Sequence, residues 1–117
     1  MKVGIIGIGY WGPNLVRNFL AHESVETVVA CDSREERLKF VRLKFPSAVL
    51  SQSCNELIHS DVDAIAVATP VSTHYGLVKE ALNAGKHVWV EKPFTSSSAE
   101  GEELLEIAEK KNLKILS

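Results

Sequence analysis

Residues 1–32 read MKVGIIGIGYWGPNLVRNFLAHESVETVVACD, and this stretch decides the fold. A short apolar segment leads into Gly7, Gly9 and Gly12, and a helical pattern follows. A second apolar segment then ends at Asp32. A Gly-x-Gly-x-x-Gly motif at a strand-to-helix turn, followed by an acid after the next strand, is typical of a dinucleotide-binding βαβ unit.

Each glycine of the motif has a physical reason. Gly7 permits the tight turn out of the strand, Gly9 lets the backbone approach a pyrophosphate, and Gly12 lets the next helix pack closely. The helix N-terminus offers free N–H groups to the phosphates, and Pro13 is tolerated in a first helical turn. The alternative is a glycine-rich turn in an α/β domain that binds no nucleotide.

The residues after the second strand bear on the choice of cofactor. A carboxylate at Asp32 would accept hydrogen bonds from the adenosine ribose and repel a 2′-phosphate, which favours NAD over NADP. Arg34 could cover the adenine or offer a cation to a 2′-phosphate, so NADP stays possible. A plainer interpretation is that Asp32 or Ser33 caps the next helix and Arg34 is solvated, and it can hold together with the cofactor role. We count Asp32, Ser33 and Arg34 as candidate cofactor residues.

The bulk composition indicates one ordinary globular domain over residues 1–117. Hydrophobic residues make up 45% of the chain and charged residues 24%, which is enough for a core, and the net charge is −2. The sequence has no basic run with interleaved aromatic residues, so nothing in it indicates a nucleic-acid-binding surface. It also has no apolar run long enough to span a membrane. Cys31 and Cys54 lack metal-like spacing, so we expect no metal site and a reduced, buried Cys31. We expect a cytoplasmic protein without a signal peptide.

Apolar strands alternate with helical patterns, which predicts an α/β fold with a Rossmann-type, doubly wound parallel sheet. Strands are predicted near residues 2–8, 25–31, 47–50, 63–68, 87–91 and 113–117. Helices are predicted near residues 11–22, 34–44 and 72–84, with a last one capped at Ser96–Ser98. Asn55–His59 is predicted to form a short helix or a turn. Gly85 is placed to end the fourth helix.

Polar groups follow the fourth predicted strand, where the chain reads Ala68-Thr69-Pro70 and His74 comes shortly after. The carboxyl ends of parallel strands share one edge of a sheet, where ligands bind in open α/β folds. Thr69 and Pro70 are therefore candidates to line the cofactor cleft. His74 either contacts the cofactor or simply begins the next helix.

The fifth predicted strand ends Glu91-Lys92-Pro93 at the same edge. Lys92 could hydrogen-bond cofactor and substrate there, and partial desolvation would lower its pKa enough for proton exchange with a substrate hydroxyl. The alternative is a surface lysine in a Lys-Pro turn.

Taken together, these residues resemble the N-terminal domain of the glucose–fructose oxidoreductase, inositol dehydrogenase and rhizopine-catabolism (Gfo/Idh/MocA) family. The resemblance covers essentially the whole chain. It is carried by residues 7–12, Asp32, residues 68–70 with His74, and residues 91–93. It implies NAD(P)-dependent hydride transfer to or from a sugar, nucleotide sugar or polyol.

The resemblance also implies roles for individual residues. Lys92 matches the family lysine that contacts the nicotinamide ribose and assists proton transfer to or from the substrate. Glu91 matches an acid placed along the cofactor. Tyr10 and Trp11 match positions beside the pyrophosphate and nicotinamide.

Family members carry a second, α+β domain that supplies the substrate pocket and usually the oligomer interface. This chain ends at Ser117, where the crossing to that domain would begin. We therefore expect a fragment that binds dinucleotide but catalyses little turnover of substrate. The resemblance is also compatible with a homo-oligomer for the whole protein. The alternative is a stand-alone nucleotide-binding or sensor module without catalysis.

Overall fold

The computed structural model describes residues 1–9, 12–90 and 95–116. In these residues, strands and helices alternate along the chain. The strands are β1 Lys2–Ile6, β2 Thr27–Cys31, β3 Val49–Ser51, β4 Ala64–Val67, β5 His87–Val90 and β6 Ile115–Leu116. The helices are α1 Gly12–Ala21, α2 Glu35–Lys44, α3 Cys54–Ile58, α4 His74–Asn83 and α5 Ser98–Lys111. None of the helices in this described part of the chain is long and apolar enough to cross a bilayer.

The strands form one parallel sheet in the order β3-β2-β1-β4-β5-β6. The first three strands extend the sheet in one direction from β1, and the next three extend it in the other. The order therefore reverses between β1 and β4, which are neighbours in register. The predicted α/β fold with a Rossmann-type, doubly wound sheet is confirmed.

Two apolar clusters hold helices against the two faces of the sheet. Val16 of α1 and Val41 of α2 pack with Val3 and Ile5 on one face. On the other face, α3, α4 and α5 contribute a second cluster that contains Leu57, Leu82 and Leu104. Each of these side chains is at most 3% exposed, and full burial of one such side chain stabilises a fold by roughly 1.5–3 kcal/mol.

Several predicted boundaries are wrong by a few residues, for local reasons. The strand predicted over 2–8 ends at Ile6, because Gly7 adopts a φ of 94° and turns the chain. The helix predicted from residue 72 begins as a 3₁₀ turn at Val71–Thr73 and becomes α4 at His74. The strand predicted from residue 47 begins at Val49. Residues 91 and 117 of the last two predicted strands lie outside the described residues.

Helix ends follow serine and glycine chemistry. The Ser53 hydroxyl accepts a hydrogen bond from the Glu56 N–H at 3.2 Å and starts α3 at Cys54, one residue before the predicted start. The Ser97 hydroxyl caps α5 in the same way, as predicted for this segment. Gly85 follows the end of α4 with a φ of 82°, also as predicted.

Close packing around the glycines positions the first helix. A Cβ on Gly12 would lie 2.8 Å from the Gly7 carbonyl oxygen, a backbone atom that cannot move aside easily. α1 therefore begins directly against the turn that ends β1. A second close approach, between Gly4 and the Leu57 side chain of α3, has no sequence motif that predicts it.

Replacing Gly12 tests this packing. We expect Gly12→Ala to lower the free energy of unfolding by about 1–3 kcal/mol, because overpacking against backbone forces a shift of α1 or the turn. The control is Gly76→Ala, at an exposed position in the first turn of α4, where no described atom lies within 4 Å of the added Cβ. We expect this control to raise stability by about 0.5–1 kcal/mol. Urea unfolding measures both, and equal effects of the two substitutions would contradict the packing argument.

Candidate functional site

A cleft of about 520 Å³ opens at the carboxyl ends of β1, β2 and β4. It lies where the strand order reverses, the position at which open α/β sheets bind ligands. Seven candidate residues from the sequence line it, namely Gly7, Gly9, Asp32, Ser33, Arg34, Thr69 and Pro70. Cys31 and Cys54 also line it, although no motif in the sequence singled them out for this site.

The glycine turn is built into the ends of two neighbouring strands. The Gly7 N–H donates to the Cys31 carbonyl oxygen at 2.8 Å, which ties the turn to β2. A Cβ on Gly7 would lie 2.8 Å from Thr69 Cγ2 and 2.9 Å from the Ala68 carbonyl oxygen. The positive φ and these contacts together exclude a larger residue at this position.

Gly9 has a different environment. No described atom lies within 4 Å of a Cβ built on this residue, and its φ is not in the left-handed region. The packing of the described residues therefore gives no reason for a glycine here. A Cβ would instead occupy part of the cleft that an incoming ligand could use, which fits the close approach of a pyrophosphate.

Asp32 connects the end of β2 to the glycine turn. The residue is 6% exposed, and its Oδ2 accepts a hydrogen bond from the Ile8 N–H at 2.9 Å. Its Oδ1 accepts one from the Arg34 backbone N–H at 2.8 Å. Burial by itself would raise the pKa of Asp32, but the hydrogen bonds from Arg34 and Ile8 outweigh it and lower the pKa to about 2. The carboxylate is therefore charged at neutral pH.

The Arg34 side chain holds both oxygens of the same carboxylate. Its Nε donates to Oδ1 at 3.1 Å and its Nη2 to Oδ2 at 3.0 Å. With the two backbone bonds, the carboxylate accepts four hydrogen bonds, about its full capacity. The alternative with Asp32 or Ser33 as cap of α2 and a merely solvated Arg34 is wrong, because Arg34 itself holds the cap position and pairs with Asp32.

Hydrogen bonds organise the turn after β4. The His74 ring is 3% exposed at the first residue of α4, and its Nε2 donates to the Thr69 carbonyl oxygen at 2.8 Å. The hydroxyls of Thr69 and Thr73 lie 2.6 Å apart, and the Thr73 hydroxyl donates to the Pro70 carbonyl oxygen at 2.6 Å. These bonds hold Thr69 and Pro70 at the cleft, whereas contact of His74 with a cofactor stays a prediction.

Four candidate residues lie outside the described residues. They are Tyr10, Trp11, Glu91 and Lys92. Their assigned roles stay predictions.

Two thiols that are 23 residues apart in the chain meet in the cleft wall. The sulfurs of Cys31 and Cys54 lie 3.5 Å apart, and both cysteines are free. Burial and the neighbouring Cys54 raise the pKa of the Cys31 thiol to about 12. No spacing motif marks this pair, because the contact depends on how α3 packs beside β2.

The fold and the cleft define a Rossmann-type nucleotide-binding domain. A family model described as "Oxidoreductase family, NAD-binding Rossmann fold" (GFO_IDH_MocA) matches residues 1–117. The chain belongs to this Gfo/Idh/MocA oxidoreductase family, which confirms the resemblance.

Individual relatives are longer proteins. UDP-N-acetylglucosamine 3-dehydrogenase of Acidithiobacillus ferrooxidans is 30% identical over 118 residues, covering 97% of this chain and 35% of that protein. A glycosyl hydrolase family 109 protein of Streptomyces niveus is 32% identical over 120 residues, covering 94% and 24%. The structure of scyllo-inositol dehydrogenase from Lactobacillus casei, with bound NAD(H) and scyllo-inositol, superposes with a TM-score of 0.86 at 25% identity, covering 98% and 35%. The chain thus spans about a third or less of each.

The low pKa of Asp32 predicts an acid-sensitive fold. The folded-state pKa of about 2 lies below the ordinary value of 3.8. Asp32 therefore stabilises the fold above pH 4, and this stabilisation, about 2 kcal/mol, is lost as the pH falls from about 4 to 2. Asp32→Asn should flatten the curve of unfolding free energy against pH in this window.

Asp61→Asn is the control for this measurement. Asp61 pairs with Lys2 at an exposed site, where solvent screens the charge, so we expect a smaller change in the same pH window. Parallel curves for the unmodified chain and Asp32→Asn would contradict the assigned role of Asp32.

Proposed function

We propose that this chain is the dinucleotide-binding domain of an NAD(P)-dependent oxidoreductase that transfers hydride to or from a sugar, nucleotide sugar or polyol. The observation that carries the proposal is the cleft in which Asp32 is tied to a glycine turn with open space at Gly9. The names of the sugar-nucleotide and inositol dehydrogenases among its relatives support the substrate class.

The described residues fit a dinucleotide along this cleft. The pyrophosphate would lie at Gly9 and the N-terminus of α1, where helix N–H groups favour negative charge. The adenosine ribose would lie near Asp32, and Thr69 and Pro70 would form the opposite wall. When bound, the nicotinamide supplies the hydride acceptor or donor.

The Asp32–Arg34 pair would influence the choice between NAD and NADP. A ribose hydroxyl can bond to Asp32 only if at least one of its four present donors withdraws. The Arg34 side chain is the donor that can move, because it is 48% exposed while the two backbone donors are fixed in the fold. NAD binding would thus exchange an arginine contact for a ribose contact, and the retained carboxylate would still disfavour a 2′-phosphate.

Lys92 is our candidate for proton transfer, because it follows Val90, the last residue of β5, by two positions in the sequence. A lysine there would exchange a proton with the substrate hydroxyl as the hydride moves. The rest of a longer protein would complete the substrate pocket, since hydride transfer requires cofactor and substrate to be held in close, oriented contact. The isolated chain would therefore bind dinucleotide with little or no turnover.

Calorimetric titration with NAD and, in parallel, NADP tests the cofactor proposal. We expect the chain to bind NAD more tightly than NADP. Asp32→Ala should shift the ratio toward NADP, because it removes the repelling carboxylate and leaves Arg34 free to meet a 2′-phosphate.

Asp61→Ala is the matched control for this titration. It removes the same charge from the opposite edge of the sheet, outside the cleft, so the NAD to NADP ratio should stay unchanged. If a folded sample binds neither nucleotide at millimolar concentration, the dinucleotide proposal fails for this chain.

Lys92 is tested in the longer protein that the proposal requires. We expect Lys92→Ala to lower kcat by roughly 100- to 10,000-fold with little change in the dissociation constant of the cofactor, because the lysine assists proton transfer. Lys86→Ala is the control, since Lys86 lies just before β5 at the other edge of the sheet. Steady-state kinetics and cofactor titration measure both variants, and an unchanged kcat in Lys92→Ala would remove this residue from the mechanism.

A further inference from the structure

The Cys31–Cys54 pair has no task in the proposed hydride transfer. Its two sulfurs lie 3.5 Å apart in the wall of the cleft, beside Asp32. The sequence contains two cysteines, and both lie at this place. A pair of free thiols in contact, reachable from a ligand cleft, has the components of an oxidation site.

The pair is asymmetric in a way that suits a stepwise reaction. Cys31 is fully buried in β2, which is hydrogen-bonded to β1 on one side and β3 on the other. Cys54 is partly exposed at the first residue of the short helix α3. An oxidant therefore meets Cys54 first, and Cys31 stands directly behind it.

We propose that Cys31 and Cys54 are a modification site, at which a hydroperoxide converts the two thiols into a reversible intramolecular disulfide. A disulfide S–S bond is about 2.05 Å long, so the sulfurs must approach by about 1.5 Å. Cys31 is fixed within the sheet, so the movement falls on the side chain of Cys54 and the start of α3.

The reaction balances with hydrogen peroxide as the oxidant. The Cys54 sulfur attacks one peroxide oxygen, the O–O bond breaks, and a sulfenic acid and water form. The Cys31 sulfur then attacks the sulfenic sulfur, the S–S bond forms, the S–O bond breaks, and the hydroxyl leaves as water with the proton of the Cys31 thiol. Two electrons pass from the thiols to the peroxide, and a dithiol reductant reverses the change by exchange.

The position of the two cysteines in the cleft means that a bound nucleotide would affect their oxidation, a consequence that rests on the proposed function. Because both cysteines line the same cleft as Asp32, a bound dinucleotide would cover Cys54. At an NAD concentration ten times its dissociation constant, we expect peroxide oxidation to slow about tenfold, since only the unbound fraction reacts.

The experiment treats the reduced, folded chain with hydrogen peroxide and follows intact mass and peptide maps. We expect a monomer that has lost two hydrogens, a peptide that links Cys31 to Cys54, and recovery of both thiols with dithiothreitol. A free Cys31 beside a Cys54 oxidised to sulfenic or sulfinic acid would overturn the proposal. Disulfide-linked dimers as the main product would overturn it as well.

Two variants are matched controls. Cys54→Ser should resist peroxide, because its remaining thiol is buried. Cys31→Ala should accumulate the Cys54 sulfenic acid, which dimedone traps. Equal peroxide reactivity of the unmodified chain and Cys54→Ser would contradict the assigned order of attack.

The nucleotide effect is measured separately. If calorimetry shows that NAD binds but leaves the oxidation rate unchanged, the inference that a bound dinucleotide covers Cys54 is wrong. If NAD does not bind, the proposed function fails. The peptide that links Cys31 to Cys54 still tests the disulfide proposal independently.

Discussion

The site depends on the buried carboxylate of Asp32. Its hydrogen bonds to the N–H groups of Ile8 and Arg34 join the end of β2 to the turn after β1. A buried charge is costly unless it is well bonded, and here the bonds exceed the cost of burial and hold the pKa of Asp32 near 2. The same residue therefore shapes the glycine turn and places a permanent negative charge in the cleft.

In the proposed function, the Asp32–Arg34 pair would link the stability of the fold to the choice of nucleotide. Arg34 neutralises much of the Asp32 charge through contacts that a ribose would have to replace. Gly9, by contrast, meets no described atom that would exclude a side chain, so its value lies in what the cleft can admit. The Asp32–Arg34 pair belongs to the fold as much as to the site, whereas among the described residues Gly9 has a role only in the proposed binding of a ligand.

Much of the fold was predictable because its signals are local. Apolar strands alternating with helical patterns indicated the parallel sheet, and Ser97 and Gly85 marked helix ends through their own cap chemistry. Predicted boundaries failed where a turn overrode apolar character, as at Ile8, which is buried but follows the end of β1. Asp32 was found by its distance from the glycines, whereas its full set of donors was not, because these bonds depend on the fold of the turn.

The amino-acid sequence by itself determined the class of fold, the glycine turn, the acid after β2 and membership of the Gfo/Idh/MocA family. These features are written in residue type and short spacing, which a chain displays before it folds. Tertiary structure alone decided that the Arg34 side chain pairs with the Asp32 carboxylate, that Leu57 packs on Gly4, and that Cys31 contacts Cys54. The last two join residues more than twenty positions apart, and the first needs a particular side-chain orientation, so packing rather than local pattern sets all three.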